Sequence, residues 1–208
     1  MTTLVIGANG QIGQQFCALA KQAGTPVKAM IRHREQAAWF EERGIPTVIA
    51  DLEGELEHAF EGCDQVVFTA GSGPHTGPDK TLLIDLFGAI RAADIASQRG
   101  LSRYIMVSAL RAEKPLEAPQ NMRPYMAAKF AADAHLRHSD ISYVILKPGR
   151  LTDDPPSHKF ASSVEEAGDN RISRANVAHA LLRVVQTPSI IDRDITLLDG
   201  KRPIDALL

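Results

Sequence analysis

The chain has little of what staples, chelates or anchors a protein. Its 208 residues carry only two cysteines, Cys17 and Cys63, far apart and in no C-x-x-C or metal-ligand spacing. That excludes a disulfide framework and a zinc ribbon. Each reads as a buried small hydrophobe, Cys17 in the first helix and Cys63 just before the fourth strand. No apolar run reaches about 18 residues, so no membrane span is expected, and a strand so near the start leaves no room for a secretory leader. Neither sign of charge dominates: 23 Lys and Arg against 25 Asp and Glu give −2. A basic face for nucleic acid or an anionic membrane is therefore not expected. The seven histidines do not cluster. His135 and His138 share a helix face without a carboxylate beside them in sequence, as on a solvated surface, and no metal site is expected. The length suits one domain with a sizeable core, and the whole reads as cytoplasmic, with a small molecule as its partner.

What is present begins within the first thirteen residues. The apolar run Leu4-Val5-Ile6 leads into Gly7-Ala8-Asn9-Gly10-Gln11-Ile12-Gly13 and a helical stretch from Gln14 to Ala23. A β-branched run, a glycine loop and a helix make the opening of a dinucleotide-binding βαβ unit. One glycine makes the tight turn, one admits the pyrophosphate to the backbone, and one lets helix and strand pack closely. Phosphate oxygens then meet free N–H groups at the positive end of the helix. Ala8 stands where G-x-G-x-x-G has its second glycine. Gly7, Asn9, Gly10, Gln11, Ile12 and Gly13 are the expected cofactor loop.

The alternation continues. Pro26 to Arg32 reads as the second strand, with Val27, Ala29 and Ile31 on one face. Its tip holds Arg32-His33-Arg34 and no acid. An acidic residue there would take the ribose hydroxyls of NAD, whereas arginine pairs a 2′-phosphate, so NADP is expected over NAD with Arg32 as the contact. An exposed basic loop is the bland alternative. Glu35 to Arg43 reads as a helix ended by Gly44. Thr47 to Ala50 is the third strand, followed by Asp51 and Leu52, placed to meet adenine; Asp51 could equally cap a following helix. Gln65 to Thr69 is the fourth strand, running into Ala70-Gly71-Ser72-Gly73-Pro74, small residues that let a backbone pass a ligand. Pro78 to Arg99 is a long helix with Leu82, Leu83, Leu86, Ile90, Ala93 and Ala96 as its apolar stripe. Asp85 interrupts that side as a buried carboxylate ordering the loop after the fourth strand. Arg103 to Val107 is the fifth strand, ending at Ser108; 111–123 reads as a loop.

Because Pro124 disfavours helix before it, the next helix is expected to start at about Tyr125 and run to His138. Ser142 to Lys147 is the sixth strand, followed by Pro148-Gly149, also assigned to the cofactor. From Arg150 to Asp169 the pattern breaks into what reads as a substrate-side lid, the heart of a small substrate region over 150–175. Arg171 to Ser173 reads as a short strand, Ala175 to Val185 as a helix and Asp194 to Leu198 as a last strand. The fold class is α/β, a Rossmann-like, doubly wound, mostly parallel sheet with helices on both faces.

The candidate chemistry lies in Ser108, Tyr125 and Lys129. Tyr and Lys four apart share a helix face, and a neighbouring ammonium lowers the pKa of a phenol. Tyr125 is then a general acid/base for a carbonyl–alcohol pair, Ser108 holds the substrate oxygen, and Lys129 tunes Tyr125 and grips the nicotinamide ribose. The bland alternative is that Tyr125 packs under the loop and Lys129 only binds cofactor.

These stretches, together with MVSAL at 106–110, YMAAK at 125–129, LKPGRLTDD at 146–154 and RISRANVAHAL at 171–181, resemble the short-chain dehydrogenase/reductase superfamily over nearly the whole chain. The likeness is to its atypical, NAD-dependent epimerase/dehydratase-like branch, which includes flavin- and biliverdin-reductase-like members. The resemblance implies a cleft for NADP or NAD at the strand ends and Ser/Tyr/Lys catalysis. It also implies a choice of functions. The first is an oxidoreductase of small carbonyl, quinone or flavin-like substrates. The second is a non-catalytic NADP sensor, and the third a sugar-nucleotide epimerase or dehydratase, which the short C-terminal part disfavours. The two helices after the fourth and fifth strands could pair between subunits or pack on the sheet, so a monomer or a homodimer is expected.

Overall fold

The computed structural model describes every residue except Pro74, so the expectation that Pro74 belongs to the loop after the fourth strand lies outside the described residues. The chain alternates β1 (Thr3–Ile6), α1 (Gln11–Gln22), β2 (Val27–Ile31), α2 (Ala37–Glu41), β3 (Thr47–Ile49) and β4 (Gln65–Phe68). A composite helix follows, made of α3 (Pro78–Lys80), a π-helical segment (Thr81–Gly88) and α4 (Ala89–Gln98). Then come β5 (Arg103–Val107), α5 (Arg123–Arg137), β6 (Tyr143–Pro148), β7 (Arg150–Thr152), β8 (Phe160–Ala161), α6 (Val164–Ala167), β9 (Arg171–Ser173), α7 (Arg174–Gln186) and β10 (Arg193–Asp199).

Eight strands form one sheet in the order β3-β2-β1-β4-β5-β6-β10-β8. Only β8 runs antiparallel, against β10. The period of two along the strands divides the interior. Val5, Val27, Ala29 and Ile31 face a core shared with α1, α2 and α7. Leu4, Ile6 and Met30 face a second core with α4 and α5. Both faces are covered, which is why the central strands read as continuous apolar runs. The doubly wound α/β expectation holds. Cys17 is buried as expected, its thiol pushed up to about 12 by burial. Cys63 is only half-buried.

Several boundaries differ for identifiable reasons. Gly10 is extended (φ −73°, ψ 163°) and caps α1, so the helix opens at Gln11 and not Gln14. The expected helix over 35–43 is a 3-10 turn, Arg34–Gln36, followed by the short α2. Asp51 caps no helix: its Oδ1 accepts the Glu53 N–H at 3.0 Å, closing a turn. The long helix at 78–98 is present, but its π-helical segment shifts the hydrogen bonds to i→i+5 and rotates the faces. Leu82 and Leu83, expected in the apolar stripe, are 53% and 40% exposed, while Thr81, Ile84 and Asp85 are buried.

α5 begins at Arg123, two residues before expectation. Pro124 sits in its first turn, where the missing N–H costs nothing. The 111–123 loop carries 3-10 turns at Pro115–Glu117 and Gln120–Met122. The presumed lid over 150–169 is largely built structure: β7 pairs with β9, β8 with β10, and Ser163 caps α6. Asn176 clips its extended part to α7 and β10, accepting from His158 N–H and donating to Ser157 Oγ and Asp199 Oδ1. His135 is no isolated surface residue either; its Nε2 lies 2.7 Å from Asp94 Oδ1 on α4.

Candidate functional site

The glycine turn is shaped by two clashes that have not happened. Gly7 has φ +83°, and a Cβ there would overlap the backbone of Ala70 after β4. A Cβ on Gly13 would overlap the carbonyl oxygens of Gly7 and Ala8, so Gly13 lets α1 sit down on the turn. Gly10 is different: a Cβ there meets only Gly7 O, at 3.3 Å. Ala8, in place of the motif's usual second glycine, is fully buried in the core. No side chain caps α1, and the first helical N–H to find an intrahelical acceptor is that of Gln14, to Gly10 O at 2.8 Å. The preceding N–H groups are free for an anion. An open glycine over an uncapped helix start fits a dinucleotide pyrophosphate.

Above this turn lies a cleft of about 390 Å³. Of the expected cofactor residues, Gly7, Asn9, Gly10, Arg32, Asp51, Leu52, Ala70, Gly71 and Ser72 line it. Sequence reasoning missed further lining from Met30, Gln36, Thr69, Thr76, Lys80 and Ile84. Gln36 is instructive: its Oε1 accepts the N–H groups of Arg32 (2.9 Å) and His33 (3.3 Å), fixing the β2 tip. Lys80 and Glu53, both on the wall, pair at 2.7 Å. A Gln four residues beyond the strand-tip Arg was the available signal.

The remaining expected residues lie elsewhere. Gln11 is exposed and Ile12 packs against the core. Pro148 is buried, its carbonyl accepting the Leu110 N–H. The small size of Gly149 admits the Asn170 carbonyl and the Leu198 side chain, so its close backbone approach is to the chain itself.

Tyr125 and Lys129 lie one turn apart on α5, and Lys129 reaches the end of β5 next to Ser108. Lys129 Nζ is 3.5 Å from Asp85 Oδ1 and donates to Val107 O at 3.2 Å. The other Asp85 oxygen accepts the Ser72 N–H at 2.9 Å, so Asp85 orders the loop after β4 as expected and joins the cleft wall to Lys129. Asp85 lies in the π-helical segment and is fully buried. Lys129 is 2% exposed and lies 5.8 Å from the centre of the Tyr125 ring. Its ammonium is directed at Asp85 rather than at the cleft.

The expected lowering of the Tyr125 pKa is not found. Burial raises it, Asp85 and Asp133 add to the rise, and Lys129 offsets only part. Burial pulls Lys129 down, but Tyr125, Asp85 and Asp133 outweigh it and its pKa is raised. The ground state is therefore a neutral phenol beside an ammonium. Asp133, one turn beyond Lys129, is 1% exposed and was missed. Its carboxyl is pushed up to about 6 by burial, against the lowering influence of Ser108, Lys147, Arg137 and Lys129.

The geometry agrees with relationships across known proteins. Residues 7–188 match the family described as NAD(P)H-binding. The uncharacterized sugar epimerase YhfK of Bacillus subtilis is 39% identical over 98% of this chain and 97% of its own. A Bacillus halodurans structure provisionally described as an NAD-dependent epimerase/dehydratase superposes with a TM-score of 0.93 at 39% identity. It covers 99% of this chain and 97% of its own. The oxidoreductase ylbE of Lactococcus lactis shares the fold alone, with a TM-score of 0.86 at 22% identity over 100% and 94% of the two chains. Glycine turn, cleft and relatives agree: this chain belongs to the NAD(P)H-binding family.

Proposed function

We propose that the protein is an NADP-dependent oxidoreductase that reduces a small carbonyl, quinone or flavin-like substrate, with Tyr125 as proton donor. The observation that carries this reading is the Asp85 bridge, which ties the cleft wall at Ser72 to the buried Lys129 beside Tyr125 and Ser108. Bound NADPH would supply a hydride to the substrate carbon. Asn9 and the uncapped start of α1 hold its phosphates, Arg32 at the acid-free β2 tip takes the 2′-phosphate, and Asp51 and Leu52 meet adenine. A phenol held protonated is already in the form that carbonyl reduction consumes. Its proton goes to the substrate oxygen, and the Ser108 hydroxyl, buried without a partner, orients that oxygen. The region 150–175 forms the substrate-side wall.

The buried, engaged Lys129 favours a second reading: a non-catalytic NADP sensor whose grip on nucleotide reports to a partner. A third follows the name of the Bacillus subtilis relative and places a sugar nucleotide among the substrates to be tried.

Nicotinamide fluorescence during titration with NADPH and NADH tests the cofactor. NADPH is expected to bind more tightly, with about a tenfold loss in Arg32→Ala, and NADH binding unchanged. Equal binding of both, insensitive to the mutation, rejects the arginine assignment. NADPH consumption is then followed with carbonyls, quinones, flavins and sugar nucleotides. Tyr125→Phe is expected to lower turnover by about 10²–10⁴ with NADPH affinity intact. Full turnover in Tyr125→Phe refutes the assignment of Tyr125, and tight NADPH binding with no consumption supports the sensor.

A further inference from the structure

The interior behind the cleft holds buried polar atoms at Ser108 and Asp133. Among the described residues, Ser108 Oγ and both carboxylate oxygens of Asp133 are buried without a hydrogen-bond partner. Ser108 and Asp133 are 3% and 1% exposed, and the hydroxyl is close enough to the carboxyl to favour its charged form. Buried polar atoms without partners are rare and costly. Ser108 follows β5, and the Asp133 carboxyl on α5 lies near enough to feel its hydroxyl, although no hydrogen bond joins the two.

The surrounding cations do not resolve the shortage. On the same helix, Arg137 approaches Asp133 Oδ2 only to 3.8 Å but lies 2.6 Å from Asp194 of β10. Lys129 is engaged by Asp85 of the π-helical segment and by Val107 O. From β6, Lys147 is held by Glu113 at 3.0 Å and Asp194 at 3.1 Å. Tyr125 completes the set on α5. Every cation facing Asp133 has a closer carboxylate elsewhere, so the aspartate is buried without full compensation and its carboxyl rises to about 6.

The Ser108 hydroxyl has one proton to give. A carboxylate can only accept, whereas a carboxylic acid can donate. We propose that Asp133 is a positioning residue for Ser108, competing with the substrate oxygen for the hydroxyl proton, so that Ser108 donates to substrate only while Asp133 carries a proton of its own. This rests on the reductase reading above. With Asp133 ionised, Ser108 points its proton away from the substrate and Tyr125 acts alone. With Asp133 protonated, the acid donates to Ser108 Oγ and the serine proton is free.

The test has two arms. Carboxyl-¹³C NMR of the full chain follows Asp133, assigned by its loss in Asp133→Asn. Its midpoint is expected near 6, and Ser108→Ala is expected to raise it by about half a unit or more, because the charged form loses a donor. A midpoint unmoved by Ser108→Ala overturns the proposal. The second arm follows NADPH oxidation by menadione across pH. Wild type is expected to lose about tenfold or more through the Asp133 midpoint as pH rises, the scale of one lost donor to a developing oxyanion. Asp133→Asn, whose amide donates to Ser108 at every pH, is expected to lack that loss, and Asp133→Glu to retain it. The same loss in Asp133→Asn also overturns the proposal. No turnover of menadione together with a Ser108-dependent midpoint removes menadione as a substrate and leaves the proton pairing supported.

Discussion

Two clusters of buried charge sit at opposite ends of β5, and they are built on opposite terms. At the N-terminal end, Arg103 is 2% exposed and every guanidinium N–H has an acceptor. Gln65 Oε1 takes two bonds (3.1 and 2.8 Å), and the carbonyls of Val185, Thr187 and Ile190 take the others at 2.9–3.1 Å. Gln65 is itself satisfied, donating to Thr3 Oγ1 at 3.0 Å. At the C-terminal end, the Ser108 hydroxyl, the Asp133 carboxyl and one oxygen of Asp85 lack hydrogen-bond partners among the described residues, around a buried ammonium. Burial is the same at both ends; satisfaction is not. A satisfied cluster fastens the ends of strands and the α7–β10 connection. An unsatisfied one keeps hydrogen-bonding capacity that only a ligand, a water or a change of protonation can use, and it lies at the sheet edge where ligands bind in this fold.

The comparison breaks most sharply at Arg103. Arg103→Met strands the Gln65 oxygen and the carbonyls of Val185 and Ile190, while Thr187 O keeps the Ile190 N–H at 3.1 Å, a loss of about 3–5 kcal/mol given roughly 1–3 for each stranded buried group and partial relaxation. Urea unfolding should show the fall, while the folded fraction keeps its NADPH affinity. A loss below about 1 kcal/mol, the worth of a single ordinary hydrogen bond, would mean that this end is no more a fastener than the other.

The glycine turn offers the same contrast in miniature. Gly7→Ala forces a Cβ into the Ala70 backbone at positive φ, and is expected to cost about 2–4 kcal/mol from strain and overpacking together. Gly10→Ala meets only Gly7 O at 3.3 Å, so its stability cost is expected to stay within about 1 kcal/mol while NADPH affinity falls. Unfolding curves and nicotinamide fluorescence on both variants separate the two. Equal stability losses would show that the turn holds no glycine reserved for ligand.

The glycine turn and the alternation of strands and helices were legible because each has a local cause: φ above zero, a close approach, a β-branched run. The faces of Val27, Ala29 and Ile31 followed from period two. The π-helical segment was not legible, since an i→i+5 ladder leaves no period that differs visibly from an α-helix over eight residues. Leu82 and Leu83 were accordingly placed on the wrong side. The 150–170 stretch read as a loop because β7 and β8 are three and two residues long, and they exist through partners over twenty residues away. The pKa direction of Tyr125 was not legible: the Lys129 charge is visible in sequence, and the burial that outweighs it is not. Asp133 had a signal, the same four-residue step that links Tyr125 to Lys129, carried one turn further.

That residue gives the subtlest test of the comparison, through stability alone. The Asp133 carboxyl is raised from 3.8 to about 6 in the folded chain. Between an unfolded value of about 3.9 and that folded value, the folded state binds the extra proton, so stability falls as pH rises through this window. The penalty is absent below about pH 4 and complete above about pH 6, and a gap of about two units sets its ceiling near 3 kcal/mol. Asp133→Asn carries no such slope. Relative to wild type, the variant is expected to gain about 1–3 kcal/mol between about pH 4 and pH 7, whatever constant offset its lost contact with Arg137 imposes. Urea unfolding of both proteins at several pH values measures that changing difference. A difference that stays flat across the window would mean that folding leaves the Asp133 carboxyl at its ordinary value, and the two ends of β5 would then be built on the same terms.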